Sequence, residues 1–247
     1  MPCVHERIAD ALDRWQESHW HLHQVENEYH HADAFRYSVN SFIRSIREVP
    51  DLINMALQGH SGFKAWHGPI KKSLEQEDPL FSKIISHRNR IVHRSMLVPG
   101  SKAHIAAIRG FTIKMALPYK VDPFEDSDHA VERFLARARK APIVIGFLAP
   151  DETQVLSVIR EWKIDGIEEE VICAFRKAFV RVGEYLSDVI EHLGGERLSS
   201  QPPQCFKDPR IYQYKKYPEL LNAVMKIAEQ SAAPNHRTPS APVVGGR

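Results

Sequence analysis

The chain has few cysteines and no long apolar run, and these two absences narrow its class. Only Cys3, Cys173 and Cys205 occur among 247 residues, far apart and odd in number. They form neither a disulfide framework nor a CxxC metal pattern, which favours a reducing compartment. No apolar run approaches the roughly 20 residues that span a bilayer, and the charged N-terminus is unlike a signal peptide. We therefore expect a soluble cytoplasmic protein without a membrane partner.

The sequence also lacks the motifs that hold nucleotides or activate a serine. Its 12 glycines do not cluster, and no P-loop, GxGxxG or GxSxG pattern occurs. The net charge of +2 indicates no strongly basic surface, although a local basic patch can still bind nucleic acid. These absences predict a protein without a cofactor.

The N-terminal half has apolar residues at helical spacing. Stripes at steps of three and four residues predict helices over about residues 4–31 and 33–57. Asp78 is a natural N-cap and Pro79 suits the first helical position, while a Pro-Gly pair forbids continuation further on. The best-defined helix is therefore expected from about Pro79 to Met96.

Beyond this helix the pattern changes from helical to extended. Segments rich in Ile, Val, Phe and Thr predict strands between residues 103 and 165, including APIVIGFL at 141–148. One helix is expected among them, around Ala130–Lys140. The helical spacing returns at Gly166 and ends at Gly194. Irregular chain, a short helix in PELLNAVMKIAEQ and a disordered tail should follow.

This order of elements predicts a mainly α protein, a helical bundle with a β-rich insertion before its last long helix. Residues 1–98 would form the helical core and residues 99–165 the insertion. Residues 166–195 would form the last bundle helix, and residues 196–247 an irregular C-terminal segment.

An arginine interrupts the apolar side of the helix expected at 79–96. At about 100° per residue, the apolar side contains Ile84, Ile85, Ile91, Val92 and Met96. Arg88 falls at its centre, Asn89 and His93 share one edge, and His87 lies on the opposite face. Burying an unpaired guanidinium is costly. Arg88 therefore needs a carboxylate from another helix, a head group that reaches water, or a ligand.

A phosphate group is the ligand that these side chains suggest. The guanidinium fork of Arg88 matches phosphate oxygens. The imidazole of His93, beside the amide of Asn89, can move a proton near neutral pH. An arginine, an amide and an imidazole in one cleft are therefore a candidate phosphate site.

The segment RNRIVH at Arg88–His93 resembles the R-x4-H motif of HEPN domains, with Asn89 at its polar second position. AFRYSVNSFIRSIREVPDLI and FKAWHGPIKKSLEQEDPLFSKIISHRN are similar to the preceding helices of bacterial HEPN families, so the resemblance covers about Glu26–Ser95. It implies a helical bundle that is commonly dimeric. It also implies a metal-independent endoribonuclease, in which Arg88, Asn89 and His93 cleave RNA by attack of the 2′-hydroxyl.

The same resemblance implies a prokaryotic defence or toxin–antitoxin setting, with an antitoxin or other protein as partner. Two features depart from it: Ser95 replaces a tyrosine found in many toxin members, and the β-rich segment lies outside the minimal bundle. The alternative is a non-catalytic HEPN-like module that binds RNA, nucleotide or protein. A structural helical protein with an accidental match is a third possibility.

Other polar residues could support the site or bind RNA. Asn40 and Arg47 lie on the second helix, where an exposed polar face explains them equally well. Glu26 or Glu28 could hold Arg88, and the sequence does not choose between them. The candidate RNA-binding residues are Arg90, Arg94, Arg137, Arg139 and Lys140. The segment YQYKKY at 212–217 interleaves aromatic and basic residues, which would suit stacking on single-stranded bases.

The first helix carries a histidine pair with the spacing of metal ligands. His19 and His23 are four residues apart and Glu26 follows three residues later, a spacing that can ligate a metal. His19 also continues the apolar stripe, and no nearby cysteine or tight acidic set completes the group. The sequence therefore predicts no metal.

A single chain supplies few groups for RNA cleavage. One Arg88, one Asn89 and one His93 must remove a proton, donate a proton and stabilise the phosphate. A two-fold axis beside the motif would double this set. We therefore expect a homodimer that pairs through the helix carrying the motif.

Overall fold

The computed structural model describes residues 4–140, 154–198 and 203–232. The strand expected in APIVIGFL lies outside the described residues, as does the C-terminal tail beyond residue 232. None of the helices in the described part of the chain combines the length and apolar character needed to span a bilayer.

Helices make up the chain as far as residue 93. They are α1 (Val4–Arg7), α2 (Ala9–Asn27), α3 (Ala32–Leu57), α4 (Phe63–Lys72), a turn of π-helix (Ser73–Glu77) and α5 (Pro79–His93). The predicted start of α5 is confirmed, because the Asp78 side chain accepts a hydrogen bond from the Phe81 amide at 2.8 Å. The helix ends at His93, short of the expected Met96.

The rest of the described chain contains both strands and helices. The elements are β1 (Gly100–Arg109), β2 (Thr112–Tyr119), α6 (Ser127–Lys140), β3 (Val155–Lys163), α7 (Val171–His192), α8 (Arg210–Gln213), β4 (Tyr214–Lys216), a 3-10 turn (Pro218–Leu220) and α9 (Leu221–Ala232). A turn at Gly110, with φ of 62°, joins the β1–β2 hairpin.

The strands form one antiparallel sheet in the order β2-β1-β3-β4. Its edge strand β4 comes from the C-terminal segment that the sequence predicts to be irregular, and Ile159 of β3 pairs with Tyr214. The expected mainly α bundle with a β-rich insertion is therefore wrong, and the fold is mixed α/β. The physical reason is that β4 satisfies the open backbone edge of β3 from beyond the last long helix.

Two large hydrophobic cores and one small cluster underlie the described part of this fold. The larger core lies among α2, α3, α5 and α7, and includes Phe35, Phe42, Phe175 and Phe179. A second core fills the space between one face of the sheet, α6 and α9, around Ile105, Phe134, Val158 and Val224. Trp162 at the end of β3 belongs to the larger core, where its ring stacks on Phe35 at 4.4 Å.

A buried polar junction joins the sheet to the helices. The Trp162 indole N–H donates to the Tyr29 carbonyl at 2.8 Å, and the Tyr29 hydroxyl donates to Glu170 Oε1 at 2.9 Å. The Arg160 guanidinium lies 4.0 Å from the Trp162 ring and donates from Nε to Ser101 Oγ at 3.0 Å. Burial lowers the pKa of Arg160 to about 10. These bonds fix the end of α2 against β3.

Candidate functional site

The structure separates the three residues expected to form the phosphate site. Asn89 and His93 line one open groove beside α5, of about 450 Å³, whereas Arg88 does not line it. The groove is lined by Ser86, His87, Asn89, Arg90, His93, Arg94 and Asp165. The expected edge of Asn89 and His93 thus exists, but Arg88 is not part of it.

The buried side of α5 is rotated about the helix axis from the side that the sequence spacing predicts. His87, placed on the polar face by sequence, is only 8% exposed, while Val92, placed on the apolar face, is 48% exposed. His87 tolerates burial because its Nε2 donates to the Asp165 carbonyl at 2.8 Å. The positions of apolar residues could not predict the burial of His87, because its hydrogen-bond acceptor comes from residue 165, far along the chain.

Arg88 is half-buried and has no ion partner among the residues that the structure describes. Its Nε is buried without a hydrogen-bond partner. The carboxylate that sequence reasoning offered as one explanation is therefore not found in the described chain. Two of the three explanations remain: a stem that packs while the head group reaches water, or a ligand that is not part of the described chain.

Cations dominate the groove beside α5. Arg90 and Arg94 are exposed, and neither pairs with a carboxylate in the described residues. The Lys83 side chain packs beside Gly166: a Cβ atom built on this glycine would lie 3.5 Å from the Lys83 Nζ. Asp165 is the opposing charge among the lining residues. The surface is therefore concave, basic and open to solvent.

The supporting residues have structural partners away from the groove. Asn40 is buried, donates to the Leu97 carbonyl at 2.9 Å and accepts from the Leu97 amide at 2.8 Å. Arg47 forms ion pairs with Asp51 at 3.0 Å and Glu75 at 3.3 Å. Each therefore stabilises local structure and lines no part of the groove.

The other candidate RNA-binding residues lie apart from α5. Arg137, Arg139 and Lys140 form the exposed last turn of α6, which packs on the sheet. In YQYKKY, Tyr217 is buried and its hydroxyl donates to Asp128 at 2.8 Å, while Lys215 pairs with the same carboxylate at 2.6 Å. Stacking of bases on Tyr217 is therefore blocked by its own packing.

A cysteine that is distant in sequence joins the two histidines of the first helix. One ring nitrogen of His19, one of His23 and the Cys205 sulfur all lie within 4.8 Å of one another. His19 Nε2 is 3.2 Å from Cys205 Sγ. Sequence spacing could not find this group, because Cys205 is 186 residues from His19 along the chain.

Glu26 lies behind this group rather than beside Arg88. Its carboxylate is 2% exposed, bonds to His23 Nδ1 at 2.8 Å and accepts from Arg176 Nε at 2.9 Å. Burial lowers the pKa of His19, and the neighbouring His23 adds to this shift. The imidazole of His19 is therefore neutral at neutral pH, the form that accepts a proton or binds a metal.

Fold and groove together define a mixed α/β protein with a helical core, an attached antiparallel sheet and a basic open surface. The family model described as Bacteriophage lambda protein ea47 matches residues 4–205. The chain belongs to this family. The matched range includes the groove beside α5 and also His19, His23 and Cys205. Neither a curated protein nor a solved structure matches the chain.

The family match corrects the resemblance to HEPN domains. RNRIVH occurs here in a chain that belongs to a different family. The expectations of a HEPN fold, a ribonuclease and a toxin–antitoxin setting came from that resemblance, and they lose their basis with it. A six-residue pattern with two fixed positions arises by chance on a basic helix, which is the physical reason that it misled.

Proposed function

We propose that the groove beside α5 binds the phosphate backbone of RNA. The observation that carries this proposal is the pair of exposed cations, Arg90 and Arg94, which line a concave surface without a described ion partner. Such cations attract a polyanion, because neutralised phosphates release their counterions. Asn89 and His93 in the same groove add hydrogen-bonding groups that suit phosphate and sugar oxygens.

The geometry favours binding over chemistry. Acid–base cleavage of RNA needs a proton acceptor, a proton donor and positive charge around one phosphate. His93 lies in the groove, but Nε of Arg88 is buried, and His87 uses Nε2 to hold the Asp165 carbonyl. Pairing of two chains along α5 stays a prediction. Light scattering would measure whether the chain is a dimer in solution.

Fluorescence anisotropy with labelled single-stranded RNA tests the proposal. We expect Arg90→Gln/Arg94→Gln to weaken binding and to reduce the slope of log K against log salt by about 0.7 for each lost phosphate contact. A matched control, Lys64→Gln/Lys226→Gln, removes the same charge from exposed positions on α4 and α9. Equal weakening by both double variants would show that net charge, and not this groove, attracts RNA.

Two further arms define the ligand. Single-stranded DNA of the same sequence tests whether the 2′-hydroxyl contributes, since it is the group that distinguishes RNA from DNA. A denaturing gel of the RNA after incubation with chelator should show intact strands if the groove only binds. The proposal places the protein in the cytoplasm, a reducing compartment in which RNA is present.

A further inference from the structure

Two imidazoles and one thiol from distant parts of the chain converge beside α2. His19 and His23 are one helical turn apart, and Cys205 comes from the segment after α7. The three potential ligand atoms lie within 4.8 Å of one another. Imidazole nitrogen and thiolate sulfur are the ligands that Zn²⁺ takes most often in proteins.

We propose that His19, His23 and Cys205 bind one Zn²⁺ ion, with water in the fourth position. Tetrahedral Zn–N and Zn–S bonds place a nitrogen and a sulfur about 3.5 Å apart. His19 Nε2 and Cys205 Sγ are 3.2 Å apart, close to that edge. The group therefore has the donor types of a zinc site, and its one recorded N–S distance is near that of tetrahedral ligands.

An outer carboxylate is the independent observation that points to a metal. Glu26 Oε2 lies 2.8 Å from His23 Nδ1, which leaves Nε2 as the nitrogen available to a ligand. Glu26 is itself held by Arg176, which donates from Nε at 2.9 Å and from a terminal nitrogen at 2.5 Å. Zinc-binding histidines are commonly oriented in this way, through a carboxylate on the other ring nitrogen.

A thiol that simply donates to an imidazole is the competing explanation. The 3.2 Å distance between Cys205 Sγ and His19 Nε2 suits such a bond. That bond alone needs neither a second imidazole within reach of the sulfur nor a buried carboxylate behind that imidazole. The arrangement of His23 and Glu26 is therefore what favours the metal.

Zinc would fasten the C-terminal segment to the helical core. Binding replaces the Cys205 thiol proton with the metal and releases that proton to solvent. The adjacent Phe206 already contacts the His19 ring edge-on at 5.9 Å, and the Lys207 carbonyl accepts from Arg176 at 2.5 Å. The ion would thus add a strong cross-link between α2 and the chain around residue 205.

Titration of the chelator-stripped full chain with Co²⁺ tests the site, because cobalt reports on its own ligands. We expect a thiolate-to-cobalt charge-transfer band in the near ultraviolet that saturates at one ion per chain and disappears when Zn²⁺ is added. Cys205→Ser should abolish the band, and the matched Cys173→Ser, which changes a thiol on α7, should keep it. His23→Gln should weaken cobalt binding at least tenfold, whereas His21→Gln, on the same helix, should not.

Zinc should also raise the melting temperature of the parent chain, because an ion that binds only the folded state stabilises that state. This increase should be absent in Cys205→Ser and retained in Cys173→Ser. A folded parent chain that shows neither the band nor the increase would overturn the proposal. A band that follows Cys173 instead of Cys205 would overturn it as well.

Discussion

The histidines of α2 and the histidine at the end of α5 look alike in the sequence but differ in their surroundings. His23 on α2 bonds to a buried carboxylate, and His30, three residues beyond the end of α2, bonds through both ring nitrogens, to Ser127 and to the Tyr212 carbonyl. On α5, His93 is exposed between Arg90 and Arg94 in an open groove. Buried partners fix the first group, and they include residues distant in sequence such as Arg176 behind Glu26, whereas His93 belongs to one exposed helix face. We therefore expect changes on α2 to affect stability and changes on α5 to affect binding.

The largest effect should come from Glu26→Ala. The variant leaves Arg176 without its buried partner and His23 without its acceptor. Breaking a buried ion pair costs about 3–5 kcal/mol, so the free energy of unfolding in urea should fall by about that amount. Glu17→Ala is the control, because Glu17 pairs with Arg14 at the surface and such pairs contribute about 1 kcal/mol or less. Similar losses in both variants would mean that the Glu26 pair is no stronger than a surface pair.

The second effect is a loss of stability in acid. Burial lowers the pKa of His30 to about 3, with Arg160 adding to the shift, and burial beside Lys71 lowers the pKa of His67 to about 4. Both folded-state pKa values lie below the unfolded value of 6.5, so the unfolded chain takes up these protons first. Stability from the two groups is fully present above pH 6.5 and decreases as the pH falls toward 4 and 3.

Urea unfolding between pH 7 and pH 4.5 measures this dependence. Each histidine should contribute a slope of about 1 kcal/mol per pH unit below 6.5. His30→Gln should remove one such contribution, while its side-chain amide still donates to the Tyr212 carbonyl. An unchanged slope in His30→Gln would show that His30 takes up its proton before the chain unfolds.

The two asparagines give the third contrast. Asn40 bonds to both backbone groups of Leu97 from a buried position, whereas Asn89 is exposed in the groove. Asn40→Ala leaves a buried amide and carbonyl without partners, which costs about 1–3 kcal/mol. Asn89→Ala should stay within about 0.5 kcal/mol of the parent and should weaken RNA binding instead. Circular dichroism in urea and RNA anisotropy, run on both variants, would contradict the assignment if the two losses were exchanged.

Local signals in the sequence predicted most of the elements but not their assembly. The Asp78-Pro79 pair and the glycine near residue 194 mark helix ends that the structure has, since capping depends on adjacent residues. The edge strand at Tyr214–Lys216 was missed, because three residues with two lysines carry no strand pattern without β3 beside them. The fold class depended on that strand, and it was wrong for this reason.

The candidate sites divide in the same way. The edge of Asn89 and His93 was predictable, because residues four apart on a helix face one side. The burial of His87 and the approach of Cys205 to His19 were not, because each depends on a contact with a residue distant in sequence. The sequence offered Arg88 as the partner of Glu26, whereas the structure pairs Glu26 with Arg176, on the last long helix.

The smallest effect on stability should come from Arg88→Met, although Arg88 lies at the centre of the side of α5 that the sequence predicts to be apolar. Its Nε is buried without a partner, so the native structure already bears the cost of desolvating that group. Methionine keeps the length of the apolar stem and removes the unsatisfied nitrogen. The free energy of unfolding should therefore change by less than about 1 kcal/mol, or increase, as when buried ionic groups are replaced by apolar ones of similar volume.

Arg88→Ala is the matched comparison, since it removes the stem as well as the head group. It should cost more than Arg88→Met, because it also removes the apolar stem of a partly buried side chain. Neither variant should alter the salt dependence of RNA binding, because Arg88 does not line the groove. A loss of several kcal/mol in Arg88→Met would show that the guanidinium has a strong partner. A reduced salt slope would show that it reaches the bound phosphate.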